Sequence, residues 1–175
     1  SIMGSALHKA LFDKENINVA LLNIGSEELK GNAVIKETYQ FLNDNKYSLF
    51  HFKGYIEGNN IMDGNVNVIV ADGFTGNIAL KTAEGTSNFI INELKSALSS
   101  SLIGKLSSLI NFKNLNSFKK KLDPRLYNGA ILLGLDKPVI KSHGATDSIG
   151  FANSLKVCEQ TIRGKLIDRI KQSIL

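Results

Sequence analysis

Three short turns concentrate the residue types that bind small anions. They are Gly25 to Asn32 (Gly-Ser-Glu-Glu-Leu-Lys-Gly-Asn), Asp72 to Asn77 (Asp-Gly-Phe-Thr-Gly-Asn) and Ser142 to Asp147 (Ser-His-Gly-Ala-Thr-Asp). Glycine exposes backbone N–H groups, hydroxyls and amides add donors, and lysine adds charge, a set that suits phosphate or another small oxyanion. None is a Walker loop or a G-x-G-x-x-G turn, so glycine alone does not indicate a nucleotide. Singly, each is better explained as an ordinary Gly-Asn-Asp turn. Three of them, each just past an expected strand, favour a site.

His143, between Ser142 and Gly144, can donate a proton or a hydrogen bond to a developing oxyanion; the alternative is a loop histidine bonded to a neighbouring carbonyl. His8 and His51 fall within a helical and an alternating segment, where a structural role is the better reading. Lys30, Lys81 and Lys141 lie within or beside the loops; each can neutralise a bound phosphate or stand as a solvated lysine. Asp72 ends an apolar run, a position equally suited to a catalytic carboxylate and to a helix cap. No residues are arranged as a nucleophilic triad. Cys158, the one cysteine, allows neither an intrachain disulfide nor a cysteine-based zinc site and leads us to expect a reducing cytoplasm.

Strands and helices must position these loops. Ile2 to Phe12 has helical apolar spacing. The opening Ser-Ile-Met-Gly-Ser-Ala-Leu-His-Lys lacks the pattern of a signal peptide, and its abrupt entry into a helix leads us to expect a further segment before it. Asn18 to Ile24 is a nearly continuous apolar run ending at Gly25, the pattern of a strand buried on both faces of a parallel sheet. An amphipathic helix follows Asn32, with Val34, Ile35, Thr38, Tyr39, Phe41 and Leu42 on or near its buried face. Leu49 to Ile56 alternates and is rich in aromatics, and Val66 to Ala71 is a third strand. A long helical stretch then runs on, broken near Gly104 and around Asn111 to Asn116. Gly129 to Gly134 and Pro138 to Lys141 read as a hairpin. A closing helix from about Ser148 to Ile174 carries Ile149, Ala152, Leu155, Cys158, Ile162, Leu166, Ile170 and Ile174 as one buried stripe, which makes Cys158 a core residue. Strands alternating with helices predict a single α/β domain over residues 1–175, a three-layer α/β/α sandwich with a mixed, mostly parallel sheet, carrying a projecting helical hairpin at about 86–122.

The chain has 175 residues, 43% hydrophobic and 21% charged, an ordinary balance for a globular domain rather than a disordered or membrane-spanning one. Its formal charge of +5 invites an anionic partner. Between Leu94 and Leu122 the charged residues are Lys95, Lys105, Lys113 and Lys119 to Lys121, with no Asp or Glu. Aliphatics and serines surround them, without the interleaved arginines and aromatics of a nucleic-acid surface. An acidic protein or an anionic membrane is the better expectation, and nucleic acid is not expected.

Four motifs in order carry a resemblance. Asn23-Ile-Gly-Ser-Glu-Glu-Leu-Lys-Gly-Asn32, Asp72-Gly-Phe-Thr-Gly-Asn-Ile-Ala-Leu-Lys-Thr-Ala-Glu-Gly85, Gly129-Ala-Ile-Leu-Leu-Gly134 and Lys141-Ser-His-Gly144 closely resemble the bacterial phosphate acyltransferases of phospholipid synthesis (the PlsX family). The likeness runs almost end to end and corresponds to the C-terminal part of a family member. Glu27, Glu28, Lys30 and Asn32 fit the family pattern, whereas Ser26 replaces an acidic residue and Leu29 a small or polar one. The resemblance implies a fold similar to phosphate acetyltransferases and isocitrate-type dehydrogenases, usually a homodimer. It also implies a reaction: inorganic phosphate attacks the thioester of an acyl chain on acyl carrier protein, giving acyl phosphate and the free carrier thiol.

Phosphate is a competent nucleophile at neutral pH, so no serine or cysteine nucleophile is needed, and positioning and charge stabilisation carry the rate. On that basis Asp72, Asn77 and His143 are the catalytic candidates, with proton handling at Asp72 or His143. Gly25, Lys30, Asn32, Gly73, Gly76, Lys81, Lys141, Ser142 and Gly144 are the substrate-binding candidates. No metal and no cofactor are expected. Leu102, Ile103, Leu106, Leu109 and Ile110 form an apolar tip, read either as a dimer interface or as a segment dipping into a membrane surface. Two alternatives stand beside the main reading. One is a non-catalytic dimerisation and membrane-docking module, the other phosphotransacetylase-like chemistry on coenzyme A thioesters. A dehydrogenase is disfavoured by the lack of a dinucleotide fingerprint and of an aspartate cluster for a divalent metal.

Overall fold

Asn18–Asn23 forms β1, and its unbroken apolar run has a simple cause: it is the middle strand of a parallel sheet. In this computed structural model, which describes residues 1–144 and 146–174, β1 is flanked by β2 (His51–Glu57) and β3 (Val68–Val70) in the order β2-β1-β3, both pairings parallel. Ala145 of the third loop lies outside the described residues. The register slips between Val19 paired with Phe52 and Leu21 paired with Tyr55. Gly54, at φ +80°, absorbs the extra residue, a conformation that side-chain-bearing residues rarely adopt.

The described chain forms two compact units. The first comprises Ser1–Asp72, Gly129–Lys141 and Ser154–Leu175. Its main core is Ile17, Val19, Leu21, Leu42 and Phe50, with Tyr39, Phe52 and Tyr55 packed against them. Leu42 comes from α2 (Ala33–Asp44); Tyr39 of that helix packs edge-on to Phe52. Val34 and Phe41, expected on the buried face of α2, are exposed. A second cluster, Ala6, Leu166 and Ile170, joins α1 (Ile2–Phe12) to the C-terminal helix of the chain. A parallel sheet flanked by helices is the α/β arrangement the sequence predicts. The hairpin is present as β4 (Ala130–Ile131) and β5 (Ile140–Lys141), antiparallel and shorter than expected, in a sheet of its own.

The second unit comprises Gly73–Asn128 and Ser142–Asn153. Helix α3 (Gly73–Ser99) is 27 residues long, and α4 (Leu102–Ile110) and α5 (Phe112–Lys121) follow. The first break falls at Ser100 and Ser101, not at Gly104. Ser101 Oγ accepts from the Gly104 N–H (3.0 Å) and caps α4. Gly104 lies inside α4, where a Cβ would stand 2.5 Å from the Leu98 carbonyl oxygen, so that glycine marks a close helix approach. The second break is at Asn111 alone; residues through Asn116 belong to α5.

The closing helix is also two helices, α6 (Ser148–Arg163) and α7 (Leu166–Ile174). Lys165 takes φ +51°, and a Cβ on Gly164 would collide with the Ala10 carbonyl. The helix stops because α1 passes there. The expected apolar stripe is therefore not continuous: Leu155, Ile162 and Ile174 are mostly exposed, while Ser154, Thr161, Leu166 and Ile170 are buried. Small residues are selected on α6 because the Gly129 backbone runs against it, where a Cβ would lie 3.2 Å from Ser154 Cα. Thr161 satisfies its hydroxyl on the Val157 carbonyl (2.7 Å). Cys158 is half-buried rather than core.

Candidate functional site

Two of the three loops leave the same edge of the parallel sheet. β1 runs into Gly25 and β3 into Asp72, and adjacent parallel strands place both exits at the carboxyl end, where open α/β sheets gather ligands. In the first loop Gly25 is buried; a Cβ there would meet Glu27 Oε2 at 2.6 Å and Lys30 Cγ at 3.0 Å. The Lys30 N–H donates to the Glu27 carbonyl (3.0 Å), while the Lys30 side chain is exposed. Buried Asn23 ties the loop shut. Its Nδ2 donates to the Lys30 carbonyl (3.2 Å) and its Oδ1 accepts from the Ile24 N–H (2.9 Å). Gly31, at φ +92°, leaves room for that amide, since a Cβ would stand 2.5 Å from Asn23 Oδ1. Asn32 caps α2 by accepting from the Ile35 N–H (2.9 Å). Its side chain is thus used by the helix. Asp72 is exposed and directly precedes α3.

Gly73, Gly76, Asn77 and Lys81 occupy the opening turns of α3, whose first turn contains no acidic residue. Gly73, Asn77 and Lys81 are exposed and Gly76 half-buried. First-turn N–H groups lack intrahelical acceptors and carry the positive end of the helix dipole. That end of a helix favours negative charge, and the Asp72 carboxylate stands directly before it.

Lys141 is exposed in β5. The loop after it holds Ser142, half-buried, with His143 and Gly144 exposed. In the second unit the organising residue of this loop is Asn128, which follows a 3-10 turn over Pro124–Tyr127. Its Nδ2 donates to Ser142 Oγ (2.9 Å) and Thr146 Oγ1 (2.8 Å), and its Oδ1 accepts from the His143 N–H (3.0 Å). Thr146 closes the turn by donating its N–H to the His143 carbonyl (3.1 Å).

A charged clamp flanks this amide. Arg125 donates through Nη2 to Asp123 (2.7 Å) and through Nη1 to Asp147 (2.7 Å). Asp147 Oδ1 also accepts from the Gly150 N–H (3.0 Å) at the start of α6. The Arg125 side chain holds the Asp123 carboxyl below its ordinary range. The Gly150 N–H, and then Arg125, do the same for Asp147. The two carboxylates in turn hold the Arg125 proton more tightly than usual. Gly150 is buried, and a Cβ there would collide with Thr146 Oγ1.

Arg125, Asn128, Thr146 and Asp147 are thus ordering residues that the sequence reading passed over. Asn128-Gly129 is a turn dipeptide and Asp123-Pro124 a helix-start signature, but neither reveals a partner near residue 142.

The apolar tip has an inverted polarity. Leu102, Ile103, Leu109 and Ile110 are 85%, 82%, 72% and 77% exposed, while Gly104, Ser107 and Ser108 of the same helix are half-buried. Leu94, Leu98, Leu115 and Phe118 line a groove of about 310 Å³ between α3, α4 and α5. Among the described residues no group of His, Cys, Asp and Glu is placed to hold a metal ion. No described helix is long and apolar enough to cross a membrane.

Comparison with known proteins adds identity to this geometry. Residues 1–169 match the model of a family described as fatty acid synthesis protein. The chain is 65% identical over 174 residues to a phosphate acyltransferase of Pelagibacter ubique, covering 99% of this chain and 52% of that protein. It is 44% identical over 175 residues to a phosphate acyltransferase of Azorhizobium caulinodans (100% and 49% covered). It is 42% identical over 170 residues to that of Methylococcus capsulatus (97% and 49% covered). The chain spans about half the length of the curated relatives it matches.

Proposed function

Because the chain belongs to the fatty acid synthesis protein family, we propose that the complete protein transfers an acyl group from a thioester to inorganic phosphate. The observation that carries this reading is the 65% and 44% identity, in alignments covering 99% and 100% of the chain, to proteins named phosphate acyltransferase. We assign the acyl donor as an acyl chain on acyl carrier protein. A phosphate oxygen attacks the thioester carbonyl, the C–S bond breaks, and the carrier leaves as a thiolate that takes up a proton. Phosphate brings its own nucleophile, so the protein's task is to hold it and to stabilise charge on the thioester oxygen. Asn77, Lys81, Ser142, His143 and the N–H groups of Gly73 and Gly144 are the donors for those charges, and Asp72 or His143 handles the proton. Gly76 adds to the anion-binding end of α3, and Gly25, Lys30 and Lys141 are further anion-binding candidates in the first unit, where Asn32 serves as a helix cap.

The test is to incubate long-chain acyl carrier protein, phosphate and the complete protein and assay acyl phosphate. Loss of product in Asn77→Ala and His143→Ala, with folding unchanged, supports the site. Wild-type rates in both remove those residues from it. Acetyl-coenzyme A turning over faster than the carrier thioester would favour a phosphotransacetylase-like donor instead.

The inverted α4 favours a second role, reversible contact of the tip with an anionic membrane surface, with a homodimer interface as the competing use of the same face. Four such side chains, at ~1.5–3 kcal/mol each when fully buried, give ~6–12 kcal/mol before ordering costs. Lysines such as Lys113 and Lys119 add roughly 1 kcal/mol each on an anionic leaflet. Leu106→Glu should abolish co-sedimentation with anionic liposomes; undiminished binding counts against the membrane role. The same lysines are the natural landing place for an acidic carrier protein, and loss of carrier affinity without loss of liposome binding in a Lys119→Glu variant would assign them to it.

A further inference from the structure

Asn128 has no part in the reaction as drawn above, yet its amide makes three hydrogen bonds to a single loop. The orientation of that amide follows from its partners. The His143 backbone N–H can only donate, so it must face the amide oxygen, as it does at 3.0 Å. The amide nitrogen is then left facing Ser142 Oγ at 2.9 Å and Thr146 Oγ1 at 2.8 Å, and to both it can only donate. A hydroxyl that receives a hydrogen bond must direct its own proton elsewhere. Thr146 directs its proton to the Asp147 carbonyl (3.4 Å). The Ser142 proton is likewise turned away from Asn128.

The segment that carries Asn128 is itself anchored. The Arg125 carbonyl, three residues before Asn128, accepts from Asn153 Nδ2 (3.2 Å). The Arg125 guanidinium bridges Asp123 and Asp147 on either side of the loop's anchor points. Gly150 leaves the space the amide needs, since a Cβ there would stand 3.1 Å from Asn128 Nδ2.

We propose that Asn128 is a positioning residue of the phosphate site: it fixes the Ser142–His143 backbone and polarises the Ser142 hydroxyl as a hydrogen-bond donor to the bound anion. The inference rests on the reading that this loop holds phosphate. It adds that the loop's donors are arranged by a residue that does not touch the ligand.

Asn128→Asp in the complete protein separates this role from simple structural support. The carboxylate keeps the acceptor for His143 but replaces the donating nitrogen with an accepting oxygen. Ser142 then turns its proton inward, away from phosphate. The KM for phosphate should rise at least tenfold near pH 8, with a smaller fall in kcat. The penalty should shrink as pH falls toward about 5, where an introduced carboxyl begins to protonate and regains a donor. In a Ser142→Ala background the same substitution should add little, because its target hydroxyl is gone. Ser142→Ala alone, which leaves residue 128 untouched, should raise the phosphate KM severalfold. An unchanged phosphate KM in either single variant, or a full Asn128→Asp penalty in the Ser142→Ala background, overturns the inference while leaving the reaction standing. A wild-type protein that makes no acyl phosphate overturns the reaction and the inference with it.

Discussion

Two loops in this chain are each tied down by one asparagine, and the two ties differ in what they hold. Among the described residues the side chain of Asn23, buried at the end of β1, bonds to backbone alone: the Lys30 carbonyl and the Ile24 N–H. Asn128 bonds to one backbone N–H and two side-chain hydroxyls, in a half-buried setting beside an exposed ion-pair clamp. The first tie closes a loop, and its cost of failure is borne by the fold, because the Lys30 carbonyl and the Ile24 N–H lose the partner that holds the loop against β1. The second sets the direction of hydroxyl protons at the surface, so its failure should be read mainly in ligand affinity. The same residue type thus does structural work in one unit and chemical work in the other.

The largest stability effect should come from breaking the first tie by Gly31→Ala. That position combines φ +92° with a Cβ 2.5 Å from Asn23 Oδ1, and urea denaturation should show a loss of ~2–4 kcal/mol. A loss near zero would mean the loop moves freely and the tie holds nothing. Asn23→Ala should follow, at ~1–3 kcal/mol, since it strands the Lys30 carbonyl. In the second loop, Gly150→Ala should cost less, ~0.5–1.5 kcal/mol, because the Thr146 side chain can rotate away. Calorimetric titration with inorganic phosphate should nonetheless show weakened binding. Equal phosphate affinity in Gly150→Ala and wild type would erase the contrast between the loops.

The smallest effect concerns pH. Asp123 and Asp147 have folded pKa values depressed by Arg125 and the Gly150 N–H. Their contribution to stability is fully present above the ordinary carboxylate value, about 3.9, and is lost as pH falls through the lower folded values. The stability difference between wild type and Arg125→Met should therefore be flat from about pH 7 to 5 and close toward about pH 2. A difference independent of pH across that range would show that the clamp contributes nothing through charge.

What the sequence revealed, and what it hid, follows from the range of the interactions involved. β1 was legible because burial on both faces leaves a local signature, an unbroken apolar run from Val19 to Leu22. The four motifs that resemble the phosphate acyltransferases were legible for the same reason, and the match over residues 1–169 bears out that resemblance. The break at Gly164 was not legible, because its cause is the Ala10 carbonyl on α1. Nor was the burial of Ser154 in place of Leu155, which depends on how closely the Gly129 backbone approaches α6. Asn32 illustrates a third case. Its residue type suits anion binding and helix capping equally, and only the bond from the Ile35 N–H shows that it caps. Residue types nominate the donors of a site; which atoms those donors face is decided by contacts such as Asn128 to Ser142, fourteen residues apart in the sequence.

The central claim is that a phosphate oxygen attacks the thioester carbon. Reacting long-chain acyl carrier protein with phosphate carrying heavy oxygen at every position, in the presence of the complete protein, tests it directly by mass spectrometry of the product. Acyl phosphate that retains every labelled phosphate oxygen is the expected result. Acyl phosphate lacking one label, or free fatty acid released at a rate independent of phosphate, would contradict it.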